Sequence, residues 1–175
     1  MLNKPRGLVT TAKDEHDRRT VYECLEGAGL PYLAPVGRLD QASEGLLLFT
    51  NDSSWADLIT APSNHVEKLY HVQIACLPEE AMLRRMEAGL KVEGDFLAAK
   101  RVRELRRGAR NCWLEVMLDE GKNRHLRRLL AGLGLEVLRL VRVSVGTLSL
   151  GNLAKGQFRH LTAAEVESLG GQVAG

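Results

Sequence analysis

Apolar residues fall in short runs along this chain, and the spacing inside each run predicts an element. Gly7–Thr11, holding Leu8 and Val9, reads as a short strand before a charged loop from Lys13 to Arg19. Thr20 stands where it caps a short helix reaching Leu25, which the Gly27–Gly29 region ends. Tyr32–Val36 reads as extended, and Gly45–Thr50, with Leu46, Leu47, Leu48 and Phe49 in succession, as a buried strand. The polar loop Gly37–Glu44 between them is the kind of segment in which side chains meet ligands on a rigid frame. Asp52 and Ser53 then suit the start of a helix carrying Trp55, Leu58 and Ile59, stopped by Pro62.

Alternation over Lys68–Leu77 predicts a strand with Tyr70, Val72, Ile74 and Cys76 on one face and Leu69, His71, Gln73 and Ala75 on the other. Pro78 opens a helix from Glu79 to about Glu87, closed by Gly89. Strands are expected over Leu97–Leu105 and Cys112–Leu118. A turn at Gly121 leads into a helix from about Asn123 to Ala131, and Gly132 or Gly134 closes it. Glu136–Leu150 predicts one or two further strands, and Thr162 caps a last helix, Ala163–Leu169. Strands outnumber helices without regular alternation, so the expected class is α+β with a mixed, largely antiparallel sheet flanked by helices.

Composition serves mainly to exclude. With 45% apolar and 26% charged residues among 175 and a net charge of +2, the chain has enough apolar side chains for a core and too little charge to stay expanded. Cys24, Cys76 and Cys112 are odd in number and form no CxxC pair, so a reducing compartment is expected. Met1–Arg6 leads into no apolar leader segment, and no run approaches the roughly 20 apolar residues of a membrane span. A soluble, cytoplasmic protein is expected.

Charge is segregated along the chain. Residues 100–142 hold 12 Lys/Arg against 5 Asp/Glu, whereas the remainder is acidic. A face that is basic for solubility is one explanation; a polyanion partner, nucleic acid first, is the other. Lys100–Arg110 places six cations in eleven residues, among them Arg101, Arg103 and Arg106, which suits an arm that tracks phosphates. In Glu120–Arg128, a helix start would put Arg124, Arg127 and Arg128 on one face beside free N–H groups. That face suits phosphate or a carboxylate, although a merely solvated basic helix has the same pattern.

Within Gly37–Gly45, Asp40 is placed to serve as nucleophile, general base or metal ligand, with Arg38 two residues earlier to keep it ionised. Taken alone, Arg-x-Asp is equally a surface ion pair. Tyr70 can stack on a base or simply fill the core. His16, His65, His71, His125 and His160 show no zinc spacing, and Asp40, Glu44 and Asp52 find no second carboxylate cluster to share a metal. GxxxxGK[ST], GxGxxG and GxSxG are all absent.

Five segments in order together resemble the RsuA/RluB/RluE/RluF family of RNA pseudouridine synthases. They are Asn3–Gly7, Gly37–Leu47 with Thr50–Asp52, Glu67–Tyr70, Glu120–Arg128, and Leu138–Arg142 followed by Gly146. The resemblance implies conversion of uridine to pseudouridine in RNA with no metal or organic cofactor. It makes Asp40 the catalytic aspartate, Arg127 its partner, Tyr70 the ring against the target base, Arg38 the motif arginine and Leu140 the apolar neighbour. Lys68, Lys122, Asn123, Arg124, Arg128, Arg101, Arg103 and Arg106 are the accompanying RNA-binding candidates. The glycal route, in which Asp40 removes the C2′ proton, is the favoured course; attack at C1′ and addition to the uracil ring are the others.

Residues 1–175 read as one catalytic domain, with a division near Lys68 into 1–66 and 67–175 left open. Many family members begin with an S4 RNA-binding module, and none is expected within these residues. The chain therefore reads as an RluE-like member or as a piece of a longer protein. Large-subunit ribosomal RNA, free or in a partly assembled subunit, is the expected partner of a monomer, with small-subunit RNA or tRNA as alternatives. A catalytically silent RNA-binding module and a metal-dependent phosphodiesterase are the competing functions. His125 stands where the family usually has glutamine and Ser43 where it has threonine or serine, and neither is expected to touch the chemistry.

Overall fold

Period-two burial in the middle of the chain builds the centre of the sheet. The structure, a computed structural model, describes residues 1–172. Its strands are β1 (Leu2–Lys4), β2 (Ala34–Val36), β3 (Glu44–Thr50), β4 (Lys68–Ile74), β5 (Leu90–Val92), β6 (Asp95–Leu97), β7 (Arg101–Arg107), β8 (Cys112–Leu118), β9 (Val137–Val145) and β10 (Leu148–Ser149). Its α-helices are α1 (Ser53–Thr60), α2 (Glu80–Ala88), α3 (His125–Gly132) and α4 (Ala163–Ser168). Eight strands join in the order β1-β3-β9-β4-β8-β7, with β2 on β3 and β10 on β9; β5 and β6 form a separate hairpin. Only the β3–β9 pairing is parallel, so the sheet is mixed and largely antiparallel, with helices flanking it.

Lys68, Tyr70, Val72 and Ile74 of β4 pair with Leu118, Val116, Leu114 and Cys112 of β8, which fixes one face of the sheet. Leu83 and Met86 of α2 and Leu126, Leu129 and Leu130 of α3 pack there with Val72, Ile74, Val116 and Leu140. Each such side chain contributes about 1.5–3 kcal/mol on burial. Two smaller clusters gather on β3. One holds Trp55 and Ile59 of α1 with Leu46, Leu48 and Val145; the other holds Leu2, Leu8, Val21, Leu39 and Leu47.

Several boundaries move from their sequence expectation. Gly7–Thr11 is not a strand: Val9 bridges only Thr20, and the strand lies earlier, at β1, where Leu2 and Lys4 point inward. Thr20 precedes a 3-10 turn, Val21–Leu25, without a side-chain cap, and a second such turn spans Pro62–Asn64. The strand expected over Leu97–Leu105 is broken at residues 98–100, between β6 and β7, where Ala99 N–H donates to Met86 O of α2 instead of to a neighbouring strand; Glu93 and Gly94, at φ 50° and 88°, make the turn between β5 and β6. Helix α3 begins at His125 because Arg124 is left-handed, at φ 48°. Asp52 caps α1 through Ser54 and Trp55 N–H groups, and Thr162 with Glu165 forms a capping box on α4.

Candidate active site

A loop can hold a reactive carboxylate still only if its own backbone groups are engaged. The loop between β2 and β3 meets that condition. Ser43 N–H donates to Asp40 O at 2.9 Å, Gly7 N–H donates to Gln41 O at 2.7 Å, and the Thr10 hydroxyl donates to Leu39 O at 2.8 Å. Residues 7–10, expected to be a strand, are instead the clamp on this loop. Leu39 is anchored in the apolar cluster below, which leaves Asp40 partly exposed beside it.

Asp40 Oδ2 lies 3.3 Å from Arg127 Nε and 3.9 Å from Arg124 Nε. Arg127 projects from α3 and is largely enclosed, and its Nε and Nη2 also donate to the Ser43 hydroxyl at 3.3 and 3.1 Å. Burial holds the Arg127 guanidinium below its ordinary pKa, although the nearby Asp40 charge opposes that shift. Ser43 thus steers the aspartate's partner, contrary to the expectation that this position stands apart from the chemistry. His125, also buried, places Nε2 2.9 Å from Ala98 O and anchors the first turn of α3; burial lowers its pKa.

A cavity of about 180 Å³ opens beside Asp40. That is smaller than the pockets of drug-sized ligands and suits a single inserted base. The candidates Arg38, Lys68, Tyr70, Lys122, Arg124, Arg127 and Leu140 line it, together with Ser43, Leu118 and Arg142. Burial and the adjacent Arg142 lower the pKa of Lys68. Asn123 lines the neighbouring groove between the 9–18 segment and the 121–124 turn, which runs past Asp40 and Arg38.

Arg128 goes elsewhere. With Arg124 outside the helix, the expected three-arginine face does not form: Arg124 and Arg127 reach Asp40, while Arg128 binds Glu93, Asp95 and the Val92 carbonyl. Arg101, Arg103 and Arg106 are also absent from the cavity. Their register partners Met117, Glu115 and Trp113 alternate with Leu118, Val116 and Leu114, so these arginines occupy the sheet face turned away from α3. This register separates Arg101, Arg103 and Arg106, expected as RNA-binding residues together with those of the cavity, from Asp40.

Sequence reasoning missed Lys4 and Arg142. Lys4 is fully buried, with Nζ donating to Ser43 O at 2.8 Å and Pro5 O at 3.0 Å beneath the Asp40 loop. Burial lowers its pKa to about 8, with Asp40 and Glu44 opposing. Arg142, also buried, donates through Nε to Leu46 O at 2.8 Å. The signal was available: Leu2 and Lys4, and Leu140 and Arg142, are pairs two apart within strands, so an inward neighbour implied an inward cation. Among the described residues no group of three His, Cys, Asp or Glu side chains is placed to hold a metal, and no helix is long and apolar enough to cross a membrane.

The RNA pseudouridylate synthase family model matches residues 1–132. An uncharacterised RNA pseudouridine synthase of Rickettsia bellii (strain RML369-C) is 41% identical over 159 residues, covering 91% of this chain and 68% of that protein. Ribosomal large subunit pseudouridine synthase B of Bacillus subtilis (strain 168) is 33% identical over 172 residues, covering 97% and 70%. A crystal structure of a pseudouridylate synthase has a TM-score of 0.83 at 32% identity, over 96% of this chain and 71% of that one. The chain spans between 64% and 70% of the length of the Rickettsia relatives. Sequence motif, sheet order and these matches agree over nearly the whole chain, which belongs to the RNA pseudouridylate synthase family and is an RNA pseudouridine synthase, an isomerase.

Proposed function

We propose that this protein isomerises a specific uridine of large-subunit ribosomal RNA to pseudouridine, with Asp40 as the catalytic carboxylate. The observation that carries the reading is Asp40 at the mouth of a base-sized cavity, 3.3 Å from an enclosed arginine and with Tyr70 in the same wall. The reaction breaks the C1′–N1 bond, turns the uracil within the site and joins C5 to C1′. The C5 proton is lost and N1 gains one, so no external reactant is consumed. A site for these steps must retain a detached base, exclude water and keep one carboxylate charged. Leu118, Leu140 and Tyr70 supply apolar wall, and Arg127, 3.3 Å away, is the counter-charge of the Asp40 carboxylate. In the glycal route Asp40 takes the C2′ proton and later returns it.

Flipping the uridine out of folded RNA costs a few kcal/mol, which stacking on Tyr70 and phosphate contacts must offset. Arg38, Lys68, Lys122, Asn123 and Arg124 ring the cavity and the adjoining groove, where they suit the target and its flanking phosphates. The ribosomal choice rests on the relative from Bacillus subtilis, named for the large subunit. Deproteinised ribosomal RNA incubated with the protein without added divalent metal, then mapped chemically for pseudouridine, tests the proposal. New pseudouridine in large-subunit RNA is expected. Binding without product would favour a silent RNA-binding module, and metal-dependent cleavage a phosphodiesterase.

A further inference from the structure

Along β4, β7 and β8, the positions turned away from α2 and α3 contribute to none of the three apolar clusters. Strand register instead crowds this face of the sheet with cations. Arg139 of β9 and Arg106 of β7 fall in one lateral row with Trp113 of β8, and their guanidiniums lie 5.6 and 6.0 Å from its ring centroid. Arg103 and Arg101 follow in the next two rows along β7. Two carboxylates lie among these cations and both are covered. Glu115, 8% exposed at its side chain, sits under Arg103; Glu44, 3% exposed, sits under Arg139 and Lys155. Five cations therefore face solvent over two hidden anions, and Arg101 and Arg106 have no carboxylate partner among the described residues.

The geometry points to a second RNA-contact surface: this face of the sheet binds the sugar-phosphate backbone of the RNA at a place remote from the target uridine. The inference rests on the RNA reading above and extends it to a part of the molecule that does not line the cavity. Strands β9 to β7 are three strand spacings apart, about 14 Å, so the guanidiniums form a broad array. Trp113 holds two of them by cation–π contact, which limits the side-chain freedom lost on binding. Planar guanidinium forks match phosphate oxygens, and a polyanion rewards spread cations through release of its counterions. An acidic protein partner fits less well, because such interfaces centre on a desolvated apolar anchor, whereas the ring of Trp113 is flanked by Arg106 and Arg139.

The test is the double variant Arg101→Gln with Arg106→Gln, compared with the unaltered protein in equilibrium binding. The probes are a short oligouridine, which reaches only the cavity, deproteinised ribosomal RNA, and polyglutamate. On ribosomal RNA the variant is expected to bind roughly tenfold or more weakly near physiological salt. The slope of log affinity against log salt should fall by about 1.4–1.8, from two lost phosphate contacts. On oligouridine both quantities should stay at their unaltered values. Unchanged affinity and slope on ribosomal RNA overturns the inference. So does an equal loss on oligouridine, because the arginines would then be acting at the cavity. Loss of polyglutamate binding with RNA affinity retained would assign the face to an acidic protein and overturn it as well. Because binding rather than product is read, the inference fails independently of the proposed chemistry.

Discussion

Replacing Arg127 with methionine separates catalysis from stability. At 3.3 Å and an effective dielectric constant near 20, its gross attraction to Asp40 is about 5 kcal/mol. Burial works against that attraction strongly enough to leave the guanidinium below its ordinary pKa. The fold therefore gains little net stability from this pair. Methionine keeps much of the side-chain volume in α3, while Asp40 is not stranded: its side chain is 31% exposed and Arg124 stands 3.9 Å away. The Ser43 hydroxyl loses its two donors, worth about 1 kcal/mol. Unfolding in urea should thus show Arg127→Met destabilised by no more than about 2 kcal/mol. Turnover should fall at least about a hundredfold, which requires only about half of the gross attraction to act in the transition state. Pseudouridine formation under single-turnover conditions measures that loss. A rate within about tenfold of the unaltered protein, or a stability loss above about 4 kcal/mol, would make Arg127 a structural residue and refute the reasoning.

The Ser43 hydroxyl is a positioning group for Arg127, so Ser43→Ala should lower kcat roughly tenfold with RNA affinity preserved, and Ser43→Thr should restore it; equal loss in both variants would contradict the role. At Gly45, φ is +104° and an added Cβ would collide with the Arg142 carbonyl oxygen, where β3 and β9 pair. Gly45→Ala should therefore cost about 3 kcal/mol or more in denaturant unfolding, and a loss below about 1 kcal/mol would contradict that close approach. Lys4 has a folded pKa of about 8 against 10.5 for the free side chain, so between those values the unfolded chain holds the extra proton and stability rises with pH. The unaltered protein should gain at most about 3 kcal/mol relative to Lys4→Met as pH rises from 8 toward 10.5, measured by urea unfolding; parallel pH profiles would refute the burial of its charge.

Much of the site was legible in the sequence because its loop lies between two apolar strands, where a polar segment has few places to go. The partnership of Asp40 with Arg127, 87 positions later, was legible only through the family resemblance; local spacing carries no such information. Local chemistry misled at Arg124, where a helical face was expected across a residue that is left-handed. It misled again at β7, where six cations in eleven residues looked like one arm. Alternation, shifted by one residue at a bulge between Glu104 and Arg106, sends Arg101, Arg103 and Arg106 to one face and Glu104 and Arg107 toward the other, so density along the chain did not become density at the site. Lys4 was overlooked for the opposite reason: a cation in the first strand suggests solvent, yet its ammonium is held by two carbonyls beneath the Asp40 loop.

The central claim is that the Asp40 carboxylate performs the chemistry while the surrounding cations hold the RNA. Asp40→Asn preserves size and most hydrogen-bonding capacity but removes the charge. Chemical mapping of pseudouridine in ribosomal RNA, run beside equilibrium binding of the same RNA, tests the claim most directly. The account predicts no new pseudouridine from the variant, with RNA affinity within a few-fold of the unaltered protein. Pseudouridine formed by Asp40→Asn at an appreciable fraction of the normal rate would contradict it.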